Sequence, residues 1–287
     1  MDDRSLLGLI RDIVGVENTL DDCAVLPCGD AYMVATTDML HETADFPAGM
    51  TDWQSGWMSV AVTISDIASM GAVPSYLLIA VGLDRWERLR PLMEGARACC
   101  DAYGAAIVGG DIDHHAELTV VTTGLGLVAR NRVVRRRGSV VGDLVAVTGT
   151  LGRAQAALDG HEEFRKHLLE PQPRVREGEL LGAHGASSMM DISDGLALSL
   201  YDMLEANPAI GYAIDTGHLP RPPGVAEPVA TDLALFGGGD FELLFTMSPE
   251  CFPVPGVDAT VVGRVIPEHA ALADGIPLEK WGYQHRW

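Results

Sequence analysis

Apolar residues between Thr51 and Pro74 recur at three- and four-residue spacing, which predicts a long helix. Thr51 and Gln54 have the pattern of a capping box, and Gly71 with Pro74 marks the end of the helix. Most other positions hold Ser, Ala or Met, and Asp66 is the only ionisable residue past the first turn. We therefore expect a buried helix whose single carboxylate is neutralised, paired or bound to a cation.

The segment before this helix predicts a short amphipathic helix followed by a hairpin. Residues 3–14 have helical spacing, whereas 23–26 and 32–36 are β-rich runs joined by a Pro-Cys-Gly-Asp turn. The two ends of a hairpin are close in space. Polar residues that stand at these ends should therefore converge: Asp21, Asp22, Thr36, Thr37 and Asp38.

The remaining pattern alternates between strands and helices, which predicts a mixed α/β fold. Before residue 138 we expect a strand at 75–82, a helix at 86–103, a short buried strand at 105–108 and a strand at 118–129. An arginine-rich segment closes this half, so we predict two domains, residues 1–138 and 139–287. The second should contain strands at 144–148, 188–192, 211–215, 241–247 and 260–265, the last strand, with helices from 153 and at 177–184, 196–205 and 229–235.

Composition excludes several classes of function. Acidic residues outnumber basic ones 40 to 20, which argues against a nucleic-acid or anionic-membrane partner. No apolar run approaches the roughly 18 residues of a membrane helix. The acidic N-terminus lacks the apolar core of an export signal, so we expect a cytoplasmic protein. Five cysteines without a CxxC pair fit reduced thiols better than a disulfide framework or a zinc site.

Five segments share a pattern in which one or two Asp residues stand beside Thr, Ser or Gly at an apolar strand or helix. They are Asp21/Asp22, Thr36-Thr37-Asp38, Asp66, Asp111/Asp113 and Asp191/Asp194. Turn chemistry explains any one of them. Their recurrence instead favours magnesium, which requires hard oxygen ligands and commonly bridges substrate phosphates. Two or more such ions would need carboxylates and hydroxyls from several segments.

Glycine and arginine clusters leave alternatives open. No GxxxxGK[ST] motif occurs, and the Gly-Leu-Gly at 124–126 lies within a predicted strand, so neither a P-loop nor a Rossmann site is expected. Glycines at 109–110 and 237–239 would permit close approach of a ligand, or form a bulge or bend. Arg136 would clamp a polyphosphate, or belong to a solvated basic loop.

A series of motifs runs in order over nearly the whole chain: DDCAVL, ATTDML, TISDIASMGAVP, VGGD, RRRG, VGD, VTGTLG, MDISDGL, GGGDFELLF and the terminal WGY. In this order they resemble the thiamine-monophosphate kinase family, which belongs to the superfamily of aminoimidazole-ribonucleotide and selenophosphate synthetases. The resemblance implies a two-domain aminoimidazole-ribonucleotide synthetase-like fold. In it, the N-terminal sheet pairs across a homodimer, the C-terminal domain is an α/β sandwich, and ATP binds in the cleft.

The resemblance also implies a reaction, in which the γ-phosphoryl group of ATP moves directly onto the phosphate of thiamine monophosphate. Positioning and electrostatics would perform the transfer, with several magnesium ions and no catalytic side chain. The implied magnesium ligands are Asp22, Thr36, Thr37, Asp38, Asp66, Asp111, Asp191 and Asp194. The implied ATP contacts are Tyr103, Gly110, Asp111, Arg136 and Ser193.

Four positions depart from the family pattern. Leu20 stands where the family has Gly, Asp45 where it has His, and Gly239 where it has Glu. Lys280 occupies the place of a Trp, with Trp281 shifted by one residue. The last three positions belong to the acceptor side, which makes Asp45, Gly239 and Trp281 the candidate acceptor contacts. Two alternatives follow: a related ATP-dependent kinase or synthetase acting on another small phosphorylated acceptor, or a non-catalytic magnesium–nucleotide-binding dimer.

Overall fold

The computed structural model describes residues 3–285 and contains two β-sheets, one from each half of the chain. The first sheet has the order β1-β2-β5-β3-β4, in which β3 and β4 are parallel and all other neighbours antiparallel. Its strands are β1 (Ala24–Cys28), β2 (Ala31–His41), β3 (Val73–Leu83), β4 (Ala106–His114) and β5 (Thr119–Ala129). The helices of this half are α1 (Asp3–Val14), α2 (Asp52–Ser69) and α3 (Leu89–Tyr103).

The second sheet has seven strands in the order β12-β11-β8-β10-β6-β9-β7, of which only the β8–β11 pair is parallel. Its strands are β6 (Leu144–Thr148), β7 (Ser188–Ile192), β8 (Gly211–Ile214), β9 (Glu242–Met247), β10 (Ala259–Ile266), β11 (Ala271–Ala273) and β12 (Ile276–Pro277). The helices are α4 (Arg153–Leu158), α5 (Arg165–Leu169), α6 (Val175–Ala183), α7 (Leu196–Ala206) and α8 (Val229–Phe236). Both halves are therefore mixed α/β, as predicted. Among the described helices, none is long and apolar enough to cross a membrane.

The central helix α2 begins and ends where the sequence predicts. Thr51 is its N-cap: its hydroxyl accepts from the backbone N–H of Gln54 at 3.2 Å, and the Gln54 side chain accepts from the Thr51 N–H at 3.1 Å. The chain turns at Gly71, whose φ of +68° favours glycine. The capping box and the helix are thus confirmed.

Glycines allow α2 to approach its neighbours closely. A Cβ on Gly56 would lie 1.9 Å from the carbonyl oxygen of Leu92 on α3. On the sheet side, a Cβ on Gly124 would lie 2.6 Å from Thr63 Cγ2, and one on Gly126 would lie 2.5 Å from Ile67 Cγ2. The Gly-Leu-Gly of β5 therefore serves helix–sheet packing.

Two predictions about strands were wrong. The strand predicted at 105–108 as short and buried is β4, an exposed edge strand that continues to His114. Among the described strands it pairs only with β3. A register shift leaves Val108 as an extra residue between Ile107 and Gly109, so the glycines follow a β-bulge within a longer strand. The predicted last strand at 260–265 is followed by β11 and β12, which are too short to leave a periodic pattern.

Candidate active site

Three carboxylates from distant segments meet beside α2. Asp22 precedes β1, Asp66 lies on α2, and Asp191 lies in β7 of the second sheet. Each offers a carboxylate oxygen, and these oxygens all lie within 4.8 Å of one another. We call these three residues the acidic cluster. Its members join the two halves of the chain at one point.

Hydroxyl groups hold the acidic cluster in place. Each donates to one carboxylate: Ser65 to Asp191 at 2.7 Å, Ser69 to Asp22 at 2.5 Å and Thr36 to Asp66 at 2.6 Å. Ser65 and Ser69 lie one turn apart on α2, so they share a face of the helix. Helix α2 therefore positions the whole cluster, through one carboxylate of its own and two serines.

Asp38 lies beside this cluster on the inner face of the first sheet. Its carboxylate accepts from Thr63 of α2 at 2.7 Å, and the Thr63 hydroxyl lies 2.5 Å from that of Thr122 on β5. Burial raises the pKa of Asp38, although the hydrogen bond from Thr63 opposes the rise. Thr36 lies two residues earlier on the same strand and therefore on the same face.

The environment of the cluster disfavours negative charge. Burial, with repulsion from Asp38 and Asp191, raises the pKa of Asp66 well above its ordinary value. Burial, with repulsion from Asp22, raises the pKa of Asp191 to about 8, although the hydrogen bond from Ser65 opposes the rise. Such a group must take up protons or a cation at neutral pH. Carboxylates and hydroxyls are hard oxygen donors, so this donor set fits magnesium.

The arginine-rich segment is paired with acids. Arg136 donates through Nε to Asp22 Oδ1 at 3.0 Å and makes a second contact with the same oxygen through Nη2. Arg135 forms an ion pair with Asp21. Burial alone would lower the pKa of Arg136, but the attraction of Asp22 raises it above its ordinary value. Arg136 is therefore part of the site through Asp22 and does not lie in a solvated loop.

Some predicted site residues lie elsewhere on the sheet. Thr37 is exposed on the outer face, where its hydroxyl lies 2.9 Å from that of Thr123. Asp111 is exposed on β4. Residues Asp38 and Gly110 lie in one row across β2, β5, β3 and β4. Three strand spacings separate them, roughly 14 Å, so within one chain Asp111 does not join the acidic cluster.

Tyr103 also lies apart from the cluster. It ends α3, and its hydroxyl donates to Gln172 at 3.1 Å. Burial raises the pKa of this phenol. Its predicted contact with ATP stays a prediction.

A cavity of about 380 Å³ opens next to Asp38, between the two halves of the chain. Predicted residues for metal, ATP and acceptor meet there: Asp38, Asp45, Ser193, Asp194 and Gly239. Apolar side chains form much of its wall: Leu40, Phe46, Met58, Leu158, Leu168 and Phe241. Its volume lies in the range of roughly 300–1,000 Å³ that is typical of small-molecule sites.

The C-terminal residues reach this cavity in a way that the sequence did not predict. Tyr283 and His285 line it. Trp281 is 61% exposed and is not among the lining residues, so its role as an acceptor contact stays a prediction.

Comparisons with known proteins show the family to which the chain belongs. Residues 20–128 match the family model described as AIR synthase related protein, N-terminal domain. The chain is 54% identical to a thiamine-monophosphate kinase of Methanospirillum hungatei over 100% of both chains, and 42% identical to one of Halobacterium salinarum over 97% of this chain and 96% of that one. The chain belongs to the thiamine-monophosphate kinase family. The predicted resemblance is confirmed.

Solved structures extend the likeness to the fold of this kinase family. A structure of AaThiL complexed with AMPPCP and TMP matches with a TM-score of 0.92 and 26% identity, over 99% of this chain and 97% of that one. The thiamine monophosphate kinase from Aquifex aeolicus matches with a TM-score of 0.84 and 26% identity, over 96% and 98%. The predicted fold class of the family is therefore confirmed.

Sequence reasoning missed a buried ionic network behind the cavity wall of this family member. Glu242 is buried and accepts from Arg174 Nε at 2.6 Å, from Arg153 Nη2 at 2.7 Å and from Thr148 at 2.7 Å. The neighbouring Asp240 accepts from the backbone N–H groups of Gly152 and Ala154 at the start of α4, and burial raises its pKa to about 6. These contacts fix the segment that carries Gly239. In the sequence, the only indication of this network is the pair of acids, Asp240 and Glu242, after the glycines at 237–239, because their partners are distant along the chain.

Proposed function

We propose that this chain transfers the γ-phosphoryl group of ATP to the phosphate of thiamine monophosphate, giving thiamine diphosphate and ADP. The observation that carries the proposal is the acidic cluster beside a cavity that Asp38 and Asp194 border. The family supports it, because relatives named thiamine-monophosphate kinase cover the whole chain. So does the AaThiL structure, which was solved with AMPPCP and TMP.

The cavity suits an acceptor with a positive, mainly apolar body. Its described lining residues include three Asp carboxylates and neither lysine nor arginine. Phe46 and Phe241 offer aromatic faces. Thiamine carries a cationic thiazolium ring, which both acidic and aromatic neighbours attract. An acceptor phosphate would lie nearer the carboxylates of Asp38 and Asp194, where its charge must be offset.

We propose that magnesium ions bind the acidic cluster together with Asp38 and Thr36, with Asp194 as a further ligand, whereas Thr37 and Asp111 on the outer face of the first sheet would bind magnesium only at an interface with a second copy. When bound, magnesium would offset the repulsion between the phosphates of donor and acceptor. The chain's own residues orient the carboxylates through Ser65 and Ser69, and Arg136 balances one negative charge. No side chain needs to act as nucleophile or proton carrier, because positioning and electrostatics are sufficient.

We further propose that the chain forms a homodimer through the outer face of the first sheet. Large apolar side chains are exposed on that face: Val73, Tyr76, Leu78 and Leu127. A second copy with the same face would cover them, as in most two-fold dimers. Thr37 and Asp111 lie on this face, which would place these predicted ligands at the interface. We also propose that the two domains meet near residue 138 and that the protein is cytoplasmic.

The dimer has a direct test. Leu78→Glu should give a monomer by light scattering after size exclusion, because it places a charge in the apolar face. Ile13→Glu changes an equally apolar residue that is 85% exposed on α1 and should leave the dimer intact. A monomeric wild-type protein would contradict the proposal.

The activity is tested by ADP release with and without thiamine monophosphate, with thiamine diphosphate identified by mass spectrometry. Release that requires thiamine monophosphate supports the proposal. Release only with another phosphorylated acceptor would favour a related kinase or synthetase. Nucleotide binding without release under any of these conditions would favour a non-catalytic dimer.

A further inference from the structure

Two residues from opposite ends of the chain meet at the edge of the cavity. His285 Nε2 lies 3.6 Å from Asp45 Oδ1. The other Asp45 oxygen accepts from the backbone N–H of His41 at 2.8 Å, and the Asp45 side chain is only 11% exposed. Asp45 is thus held from one side by its own loop and contacted from the other by the C-terminal segment.

The C-terminal segment is also attached to the opposite wall of the cavity. The backbone N–H of Tyr283 donates to the carbonyl oxygen of Asp194 at 3.0 Å. A Cβ on Gly282 would lie 2.3 Å from that same oxygen, so the segment passes in direct contact with it. The rings of Tyr283 and His285 meet edge to face, 5.3 Å apart. We call residues 282–285 the arm.

The arm therefore connects two parts of the acceptor cavity. One is the Ser193–Asp194 segment of the second half. The other is the loop after β2, of which residues 44–47 all line the cavity. Besides the arm, the residues that flank this loop have three other attachments. Arg88 bonds Glu42, Glu117 accepts from the backbone N–H of Thr43, and Arg165 donates to the carbonyl oxygen of Ala48. His285 is the only member of the described lining that can carry a positive charge, and it lies against one of the three acids.

We propose that His285 is a positioning residue for the acceptor, which fastens the arm to Asp45 and so holds the loop at 44–47 and the Ser193–Asp194 segment at a fixed separation. The inference rests on the proposed function, because it assigns the cavity to the acceptor. It predicts a larger effect on acceptor affinity than on nucleotide binding, because Asp45 belongs to the loop that lines the acceptor cavity, whereas Ser193 is the one predicted ATP contact on the segment that the arm touches.

Steady-state kinetics of three variants test this inference: His285→Ala, Asp45→Asn and the double variant. Each single change should raise the KM for thiamine monophosphate about two- to fivefold, the upper part of the range for a partly exposed contact between a histidine and a carboxylate. The kcat and the KM for ATP should change less than about twofold. The double variant should resemble either single variant, because both changes break one contact. Additive effects, or an equal rise in both KM values, would overturn the inference.

A matched control is available elsewhere on the surface. His218 Nδ1 lies 3.0 Å from Asp215 Oδ2, and both residues are exposed away from the cavity. His218→Ala therefore removes a similar pair without touching the arm. It should leave all kinetic constants unchanged.

Hydrogen exchange separates this inference from the proposed function. The Tyr283 amide should exchange faster in Asp45→Asn than in the wild type, with no substrate present, because the arm loses its attachment. Unchanged exchange of the Tyr283 amide would contradict the attachment of the arm to Asp45, even in an active enzyme. If exchange is faster in Asp45→Asn but the wild type does not use thiamine monophosphate, the attachment of the arm to Asp45 is supported and thiamine monophosphate is not the acceptor.

Discussion

Replacing Asp66 by asparagine should stabilise the metal-free protein while abolishing its activity. The asparagine side chain keeps the shape of the carboxylate, and its amide oxygen can still accept from the Thr36 hydroxyl. The change removes one negative charge from three carboxylates whose oxygens lie within 4.8 Å. The magnesium site loses a charged ligand by the same change. The variant should therefore be more stable than the wild type without metal, but should gain less stability when magnesium binds.

The magnitude follows from the geometry. Two unit charges 4.8 Å apart repel by about 3.5 kcal/mol at an effective dielectric constant of about 20. Arg136 balances part of the charge of Asp22, which leaves Asp38 and Asp191 as the main sources of repulsion. Allowing for this and for solvent screening, we expect the free energy of unfolding to rise by about 2 kcal/mol in Asp66→Asn.

The effect depends on pH with a defined sign. The folded-state pKa of Asp66 lies above its unfolded value, so the protonated acid contributes stability that is present at low pH and lost as pH rises through the folded pKa. Asp191 behaves in the same way, with a folded pKa of about 8. The difference between the variant and the wild type should therefore be small near the ordinary carboxyl pKa of about 4 and largest at alkaline pH, above the raised pKa of Asp66.

Urea denaturation in EDTA, repeated across this pH range and then with magnesium, provides the test. Magnesium should stabilise the wild type by more than it stabilises Asp66→Asn, because ligand binding adds to the free energy of unfolding. Asp101→Asn, on an exposed face of α3, is the matched control and should show neither effect. The reasoning is refuted if Asp66→Asn is no more stable than the wild type in EDTA at alkaline pH, or if magnesium stabilises both equally.

Three further predictions concern stability and thiol chemistry. Glu242→Gln should lower the free energy of unfolding by about 3 kcal/mol, because two arginines lose their buried counter-charge; urea denaturation measures it, and a loss below about 1 kcal/mol would contradict the buried network. Gly56→Ala should cost about 3 kcal/mol or more in thermal unfolding, since its Cβ would meet the Leu92 carbonyl at 1.9 Å. Gly8→Ala has open space and serves as its control. A thiol reagent should modify the exposed Cys28 and Cys251 of the native protein. It should not react with the buried thiols of Cys23, Cys99 and Cys100, whose pKa values are raised by burial.

Local signals made part of the fold and the site predictable. The capping box of Thr51 and Gln54 and the glycine at 71 are short-range chemistry, and both fixed the ends of α2 correctly. The first hairpin and β7 were found because their apolar runs are bounded by polar residues. The convergence of Asp22 with Asp66 and Asp191 required one further inference, that buried acids at element ends need a shared partner.

Long-range contacts could not be predicted in this way. Glu242 has three partners in distant segments, and nothing near it identifies Arg153 or Arg174. The extent of β4 was missed because an edge strand with one neighbour carries no alternation of burial. The contact of His285 with Asp45 joins residues near opposite ends of the chain, and no periodic pattern indicates it.

The chemistry of this site depends on packing as much as on its acids. Consecutive residues of a strand point to opposite faces, so Thr36 and Asp38 reach the inner face only because of the register that pairs them with Gly124 and Thr122. A shift of one residue in this register would place Thr37 on the inner face instead of Thr36 and Asp38. Gly124 and Gly126 then let α2 approach β5 closely enough for Thr63 to bond Asp38. The glycines of β5 therefore help to place Asp38 beside the acidic cluster, although no ligand needs to touch them.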